Sequence, residues 1–239
     1  MPAERLRHVR TDYGRHMPAK LEAGKWTGEG VMSKWTPVVR EFASCFDVST
    51  LDGVKRLIAG VGAFTEVHKT PEELIYHYAR RPAGDIIKSR EIFSLDSLGA
   101  LTAFPDVHGC LDFSLATTTA LRCSGVPAAF MRWKTHSLAL FYFEGKAYVS
   151  DFQPIRVHTP QTADPILAGN LKVSVAPMSP ELAADIEYKR TKGRCLIGLD
   201  PHDVGIKSIM DFWNAAVSLR SRDAFMASYQ EELVKAGLL

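Results

Sequence analysis

Apolar residues recur at helical spacing through much of the N-terminal part of the chain. They predict helices at 37–46 and 51–64, although glycines interrupt the second pattern. A capping-box sequence at 70–73 predicts the start of a third helix, which Pro82 ends, and 84–89 predicts one more short helical turn. This part of the chain is therefore expected to be helical.

The pattern changes after Asp106. Residues 110–125 predict a helix that ends in glycine, and its threonines at 117–119 are poor helix formers, so packing has to stabilise it. A strand is predicted at 126–133, and 136–152 predicts a β-hairpin. The first strand of that hairpin is apolar on both faces, which indicates a buried, central position in a sheet.

The C-terminal part returns to helical spacing. Segment 155–176 has β propensity but contains prolines, and helices are predicted at 179–190, 203–219 and 222–236. The predicted order is helices, then a cysteine-bearing helix with a short antiparallel sheet, and then further helices. This order indicates an α+β fold. We expect one domain over residues 1–239. Its parts are an N-terminal helical extension, a core and a C-terminal helical segment, at 1–80, 81–176 and 177–239.

The composition limits the functions that the chain can have. Of its 239 residues, 46% are hydrophobic and 23% are charged, which is ordinary for a globular protein. The 29 basic and 27 acidic residues nearly balance, which argues against nucleic acid as a partner because phosphate binding uses clustered positive charge. No apolar run is long enough for a membrane span, and none resembles the core of a signal peptide, so we expect a cytoplasmic protein.

The chain has four cysteines, at positions 45, 110, 123 and 195. No two have the spacing of a zinc site, and four are too few for a disulfide scaffold, so we expect free thiols. Cys45, Cys123 and Cys195 are expected to be buried, because packing in a core is the usual role of a free thiol. Cys110 differs from them in its position.

Cys110 follows Gly109 and begins the predicted helix. The glycine permits a sharp turn into the helix, and the free N–H groups and dipole at a helix N-terminus favour a thiolate. The same N–H groups can stabilise an oxyanion. A nucleophilic thiol also needs a base, and the base needs a group that orients it.

His136 and Asp151 are the candidates for those two roles. His136 begins the first strand of the hairpin, and Asp151 ends the second. With the turn at 144–146, His136 lies opposite roughly residue 154, so a hydrogen bond between the His136 and Asp151 side chains is geometrically reasonable. The sequence therefore predicts a Cys–His–Asp triad, with His108 as a rival base.

Three blocks of this sequence resemble the transglutaminase-like superfamily of papain-type folds. They are GCLDFSLATTTALRCSGVPAAFM, THSLALFYF and YVSDFQP. The family has a cysteine block that continues into a helix and ends in a segment such as L-R-x-x-G-I-P-A-R. A histidine that opens a strand follows, and then an aspartate after an aromatic-rich strand. The upstream RPAGDIIKS also resembles a short helix found before the cysteine block in bacterial and archaeal members, so the resemblance covers about residues 80–155.

The resemblance implies a papain/transglutaminase-like core in which a cysteine-bearing helix packs on a small antiparallel sheet, with extra N- and C-terminal helices. Cys110 would be the nucleophile, His136 the base and acid, and Asp151 the group that orients the histidine. Asp112 matches an acidic position of the cysteine block, with a structural hydrogen-bonding role.

The sequence departs from the family in two respects. Ala129 stands where the family commonly has arginine, and every glutamine follows Cys110 in the chain, so no upstream glutamine can donate to an oxyanion as in papain-like enzymes. The sequence leaves several other side chains open as donors, namely Trp26, Trp35, Tyr76, Tyr78 and His108.

The resemblance implies a thiol-dependent acyl-transfer enzyme that cleaves or transfers an amide or peptide acyl group through a Cys110 thioester. Hydrolysis, by a protease or amidase, is slightly favoured over transglutaminase-type transfer, because water is always present and no amine site can be recognised. The substrate would be a peptide or protein amide, and no metal or organic cofactor is required. Two alternatives stay open: a catalytically silent module of the same fold that binds peptides or proteins, and an arylamine-type acetyl transfer, which no phosphate-binding sequence supports.

Overall fold

The computed structural model describes residues 23–95, 109–133, 136–152, 164–165, 173–193, 195–216 and 219–239. Its helices are α1 (Pro37–Ser44), α2 (Leu51–Gly62), α3 (Pro71–His77), α4 (Ala83–Ser89), α5 (Cys110–Cys123), α6 (Pro180–Thr191), α7 (Ile209–Ala216) and α8 (Leu219–Lys235). Its strands are β1 (Thr65–Lys69), β2 (Glu91–Leu95), β3 (Ala128–Trp133), β4 (His136–Phe143), β5 (Lys146–Asp151), β6 (Asp164–Pro165), β7 (Ser174–Pro177) and β8 (Cys195–Gly198). None of the helices described is long and apolar enough to cross a membrane.

Within these ranges, six strands form one antiparallel sheet in the order β6-β7-β5-β4-β3-β8. Near its middle, β4 and β5 form the predicted hairpin, with Ala139 opposite Ser150. Glu144 and Gly145 connect the two strands, with φ values of 48° and 73°. Two consecutive positive φ values are typical of a tight turn whose twist matches that of the strands. The α+β class and the hairpin are therefore confirmed.

The sheet is covered on both faces. On one face, α5 packs against β3 and β4, in a large apolar core that includes Phe113, Phe130 and Phe141. On the other face, a second apolar cluster joins Leu138 of β4 to Ile186 of α6. The buried, central position that the sequence predicts for β4 is confirmed.

Two strands lie in segments that the sequence predicts as helical. β1 belongs to the N-terminal extension and pairs in parallel with β2. β8 belongs to the C-terminal segment and pairs with β3, where Cys195 lies opposite Trp133. Both strands are too short for their apolar alternation to be recognised, and residues distant in the sequence supply their pairing. The predicted helix at 203–219 also begins later than expected, at Ile209.

α5 is enclosed by other elements along nearly its whole length. Its residues from Cys110 to Arg122 are all buried, and α1, α2, α4, β3 and β4 pack around it. The hydroxyls of Thr118 and Thr119 donate to the carbonyls of Ser114 and Leu115 at 2.8 and 2.7 Å, within the helix itself. Packing therefore stabilises a helix whose threonines disfavour it, as the sequence predicts.

The thiols outside the start of α5 differ in exposure. Cys195 is fully buried, as predicted, and Cys123 is half-buried against the main core. The prediction for Cys45 is wrong, because this residue is exposed. Cys45 follows the last residue of α1, and its Sγ donates to the Glu41 carbonyl at 3.3 Å instead of entering the core.

Gly109 is needed for space and not, as expected, for a sharp turn. Its φ is −64°, which any residue can adopt. A Cβ at this position would collide with Cγ2 of Ile92 and lie 3.2 Å from Oγ of Ser94. The start of α5 therefore approaches β2 through a residue that has no side chain.

We expect Gly109→Ala to lower the free energy of unfolding by about 1–3 kcal/mol, because the added methyl group overpacks against Ile92. Urea unfolding measures the change. Gly28→Ala is the matched control, since nothing lies within 4 Å of a Cβ built there. Equal unfolding free energies for the two variants would contradict the close approach of α5 to β2.

Candidate active site

Three elements bring the residues of the predicted triad together. Cys110 is the first residue of α5, His136 the first of β4, and Asp151 the last of β5. Because α5 packs on β4, the thiol lies beside the imidazole, and the imidazole is hydrogen-bonded to the carboxylate.

His136 and Asp151 form the hydrogen bond that the hairpin predicts. Nε2 of His136 lies 2.8 Å from Oδ1 and 2.9 Å from Oδ2 of Asp151. The pairing of β4 with β5 ends at Ala139 and Ser150, so both residues lie beyond the last pair on adjacent strands, Asp151 directly after Ser150 and His136 three residues before Ala139. The Asp151 side chain is 2% exposed and that of His136 is 30% exposed, so the carboxylate holds the ring from its buried side.

The other ring nitrogen of His136 is available to the thiol. Because Nε2 faces Asp151, Nδ1 is the nitrogen that remains for Cys110, and the imidazole and the thiol share a hydrogen bond. Cys110 is only 4% exposed, whereas His136 is partly exposed, so solvent approaches the pair on the side of the imidazole.

Both neighbours influence the charge of His136. Burial acts to lower its pKa, but the negative charge of ionised Cys110 and the hydrogen bonds with Asp151 and Cys110 outweigh burial and raise the pKa to about 10. An opposite charge nearby favours the charged form of a titratable group. The arrangement therefore suits an imidazolium placed between a thiolate and a carboxylate.

Burial is the main influence on two of the other thiols. It raises the pKa of Cys195 to about 12 and also raises that of Cys123, because a thiolate is poorly solvated in an apolar core. His108, the rival base, lies outside the described residues. Within the part of the chain that the structure describes, no group of three His, Cys, Asp or Glu side chains could hold a metal ion.

A buried ion pair that the sequence does not predict lies at the start of α5. Nη1 of Arg81 donates to Oδ2 of Asp112 at 2.9 Å, and the N–H of Phe93 donates to the same oxygen at 3.1 Å. Burial raises the pKa of Asp112 to about 6, although Arg81 and the Phe93 N–H act to lower it. Asp112 therefore has the hydrogen-bonding role that the resemblance implies. Nothing in the sequence distinguishes its partner Arg81 from the exposed Arg80.

Among the described candidates for an oxyanion donor, Tyr78 is the one whose electrostatic neighbours include Cys110. Tyr78 directly follows α3 and is 9% exposed. Burial raises its pKa well above the usual value, and the charge of Cys110 raises it further. The hydroxyl is therefore protonated at neutral pH.

The other described candidates have different surroundings. The Tyr76 hydroxyl donates to Oε2 of Glu232 at the surface, at 2.7 Å. Trp26 packs with the cluster around α6, and Trp35 lies under the guanidinium of Arg40, 5.7 Å from the ring centre. The sequence does not distinguish these four side chains from one another. Only the fold shows that Tyr78 is the one close enough to Cys110 to be influenced by its charge.

We expect Asp151→Asn to lower the pKa of His136, because an amide cannot form the charge-assisted hydrogen bond that a carboxylate forms. NMR titration of the imidazole measures the pKa. Asp85→Asn is the control, since Asp85 is an exposed carboxylate on α4. An unchanged His136 titration in Asp151→Asn would show that the carboxylate does not favour the charged ring.

The raised pKa also has a consequence for stability. The folded pKa of His136 lies above its ordinary value of 6.5, so the interaction stabilises the fold fully below pH 6.5 and is lost as the pH rises through about 10. We expect the difference in unfolding free energy between the wild type and His136→Gln to shrink over that range. Urea unfolding at pH 6 and pH 10 tests this, and a constant difference would contradict the raised pKa.

No protein-family model, curated protein or solved structure matches this chain. The resemblance to the transglutaminase-like superfamily therefore depends on the three sequence blocks, and the function has to be inferred from the geometry of Cys110, His136 and Asp151.

Proposed function

We propose that this chain is a thiol-dependent acyl-transfer enzyme of the transglutaminase-like superfamily, which acts on an amide or peptide through a Cys110 thioester. One observation carries the proposal: the imidazole of His136 is bonded through Nε2 to Asp151 and faces the thiol at the start of α5. A thiol, a base and a carboxylate that orients the base are the set that nucleophilic acyl transfer uses. The packing of α5 on an antiparallel sheet supports a papain/transglutaminase-like core.

In the first half of the reaction, the thiolate of Cys110 attacks the carbonyl carbon of an amide. A C–S bond forms, and the π electrons of the carbonyl move to its oxygen. The C–N bond then breaks as the imidazolium of His136 gives its proton to the departing amine. The acyl group remains on sulfur as a thioester, while Asp151 keeps the ring in place.

In the second half, neutral His136 takes a proton from water as the water oxygen adds to the thioester carbon. The C–S bond breaks, so the thiolate and a carboxylic acid are released and the imidazolium is restored. An amine in place of water would give a new amide by the same steps. We favour hydrolysis, because water is always available and no amine-binding group is recognised among the described residues.

Two groups are suited to stabilise the oxyanion of the tetrahedral intermediate. The first N–H groups of α5, including that of Cys110, have no acceptor in the helix. Tyr78, whose electrostatic neighbours include Cys110, is the second candidate. Donors directed at a developing negative charge contribute strongly to acyl transfer.

A binding module without turnover is the second candidate function. The observation that favours it is the 4% exposure of Cys110, because a nucleophile has to be reached by its substrate. Such a module would bind a peptide or protein and would not form a thioester. The reactivity of the thiol separates the two functions.

We expect iodoacetamide at pH 6 to alkylate Cys110 at least about tenfold faster than Cys123, because a thiolate paired with an imidazolium reacts where an ordinary thiol is protonated. Peptide mass spectrometry measures each rate in the same protein. We expect His136→Ala to remove the difference. If Cys110 reacts no faster than Cys123 and His136→Ala changes nothing, the catalytic proposal fails and the binding module is favoured.

We expect Tyr78→Phe to slow acylation of Cys110 by p-nitrophenyl acetate by about a hundredfold, because acylation forms an oxyanion. Alkylation by iodoacetamide forms no oxyanion, so its rate should stay close to that of the wild type. Tyr76→Phe is the matched control, since this hydroxyl is bonded to Glu232. Equal losses in both reactions would assign Tyr78 to packing and not to the oxyanion.

A further inference from the structure

We propose that Arg81 is a positioning residue: acting through Asp112, its guanidinium fixes the first turn of α5 on β2 and thereby holds Cys110 in register with His136. The inference rests on the proposed function. It concerns a residue outside the predicted triad, whose side-chain hydrogen bonds within the described residues go to Asp112, Ser89 and Glu91.

The guanidinium of Arg81 joins three elements. Nη1 donates to Oδ2 of Asp112 on α5 at 2.9 Å. Nη2 donates to Oγ of Ser89, at the end of α4, at 2.8 Å and to the carbonyl of Glu91, at the start of β2, at 3.2 Å. Its central carbon also lies 3.7 Å from the ring centre of Phe93, a distance typical of a cation–π contact. These residues, Arg81, Ser89, Glu91, Phe93 and Asp112, are called the Arg81 cluster below.

The cluster acts on the turn that carries the thiol. Asp112 lies in the same helical turn as Cys110, and its Oδ2 also accepts the N–H of Phe93 on β2 at 3.1 Å. On the other side of Cys110, Gly109 packs against Ile92 of β2. The residues before and after the thiol are therefore both held to one strand, which opposes rotation of this turn.

The shape of the guanidinium matters as much as its charge. The Arg81 and Asp112 side chains are 11% and 8% exposed, so solvent screens the ion pair little. A planar fork can donate to Asp112, Ser89 and Glu91 at the same time, whereas a lysine ammonium is a compact charge with no such geometry. We therefore expect Arg81→Lys to preserve only part of the effect of Arg81 on the position of Cys110.

The charge of Asp112 offers a second way to test the Arg81 cluster. Burial raises its pKa to about 6, against Arg81 and the Phe93 N–H, which act to lower it. The titratable or charged groups nearby are Arg81 ahead of α4, Tyr78 after α3, and Cys110 on α5 itself. Because the folded pKa is raised, Asp112 itself destabilises the fold as the pH rises from 3.8 through about 6. Protonation of Asp112 in acid therefore weakens its ion pair with Arg81, but the titration of Asp112 does not itself lower the free energy of unfolding.

The test compares Arg81→Met, Arg81→Lys and Asp112→Asn with the wild type. The alkylation rate of Cys110 by iodoacetamide is measured from pH 5 to pH 8, with the exposed Cys45 as an internal reference, and urea unfolding is measured for each variant. Arg80→Met is the matched control, since Arg80 is the exposed neighbour of Arg81.

We expect Arg81→Met to slow alkylation of Cys110 at pH 6 to 7 by about tenfold or more, because small displacements of reacting groups are costly. Cys45 and the Arg80→Met control should keep their wild-type rates, and Arg81→Lys should fall between Arg81→Met and the wild type. Asp112→Asn should be slow as well, and it should lack the decline in rate that the wild type shows below about pH 6, where its carboxylate becomes protonated. If Arg81→Met does not fold, Arg81→Lys and Asp112→Asn carry the test.

A purely structural role predicts the opposite direction. Loosening of the fold would expose Cys110 and speed its alkylation in parallel with the loss of unfolding free energy, and that result would overturn the proposal. A wild-type rate in Arg81→Met would overturn it too. The proposed function fails in a different way, with a Cys110 that is already unreactive in the wild type and insensitive to His136→Ala.

Discussion

Burial of α5 is the constraint on which the rest of the structure depends. An enclosed helix has no water to satisfy its polar side chains, so the charged ones need partners inside the protein. Asp112, near its start, is bound by Arg81, and Arg122, near its end, donates to the carbonyls of Ala128 and Leu199 at 2.8 and 2.9 Å. These partners come from segments before and after α5 in the sequence. The charged groups of the helix therefore determine where those segments lie.

At the end of α5, buried polar groups beyond Arg122 also have partners inside the protein. Asp200, next to one of the carbonyls that Arg122 contacts, is fully buried, and its carboxylate accepts the N–H of Met32 at 2.7 Å. The Met32 carbonyl in turn accepts the N–H of Ala83, the first residue of α4, at 2.8 Å. Buried polar contacts thus lead from Arg122 back to the beginning of α4, close to Arg81. Residues from distant parts of the chain jointly place the first turn of α5.

Local patterns predict the features that local interactions decide. The hairpin follows from two strand-like apolar segments and the turn predicted between them at 144–146, and its register brings His136 and Asp151 within hydrogen-bonding reach. The role of Arg81 cannot be predicted, because its partner lies far along the chain and only the packing of α5 on β2 distinguishes it from Arg80. The position of β8 depends in the same way on its pairing with β3. The prediction for Cys45 fails because α1 ends just before it, where helical periodicity no longer applies.

Burial by itself does not separate Cys110 from the structural thiols of this chain. Cys195 is buried as well, and there burial raises the thiol pKa to about 12, although Lys189 and Arg190 act to lower it. The Asp151 side chain is 2% exposed, and its Oδ1 lies 2.8 Å from Nε2 of His136, so a buried carboxylate holds the ring. The same imidazole faces Cys110, and the negative charge of ionised Cys110 helps to raise the pKa of His136. What distinguishes Cys110 is therefore its neighbour His136, at the start of β4. One side of this imidazole faces the thiol, and Nε2 is hydrogen-bonded to the buried carboxylate of Asp151.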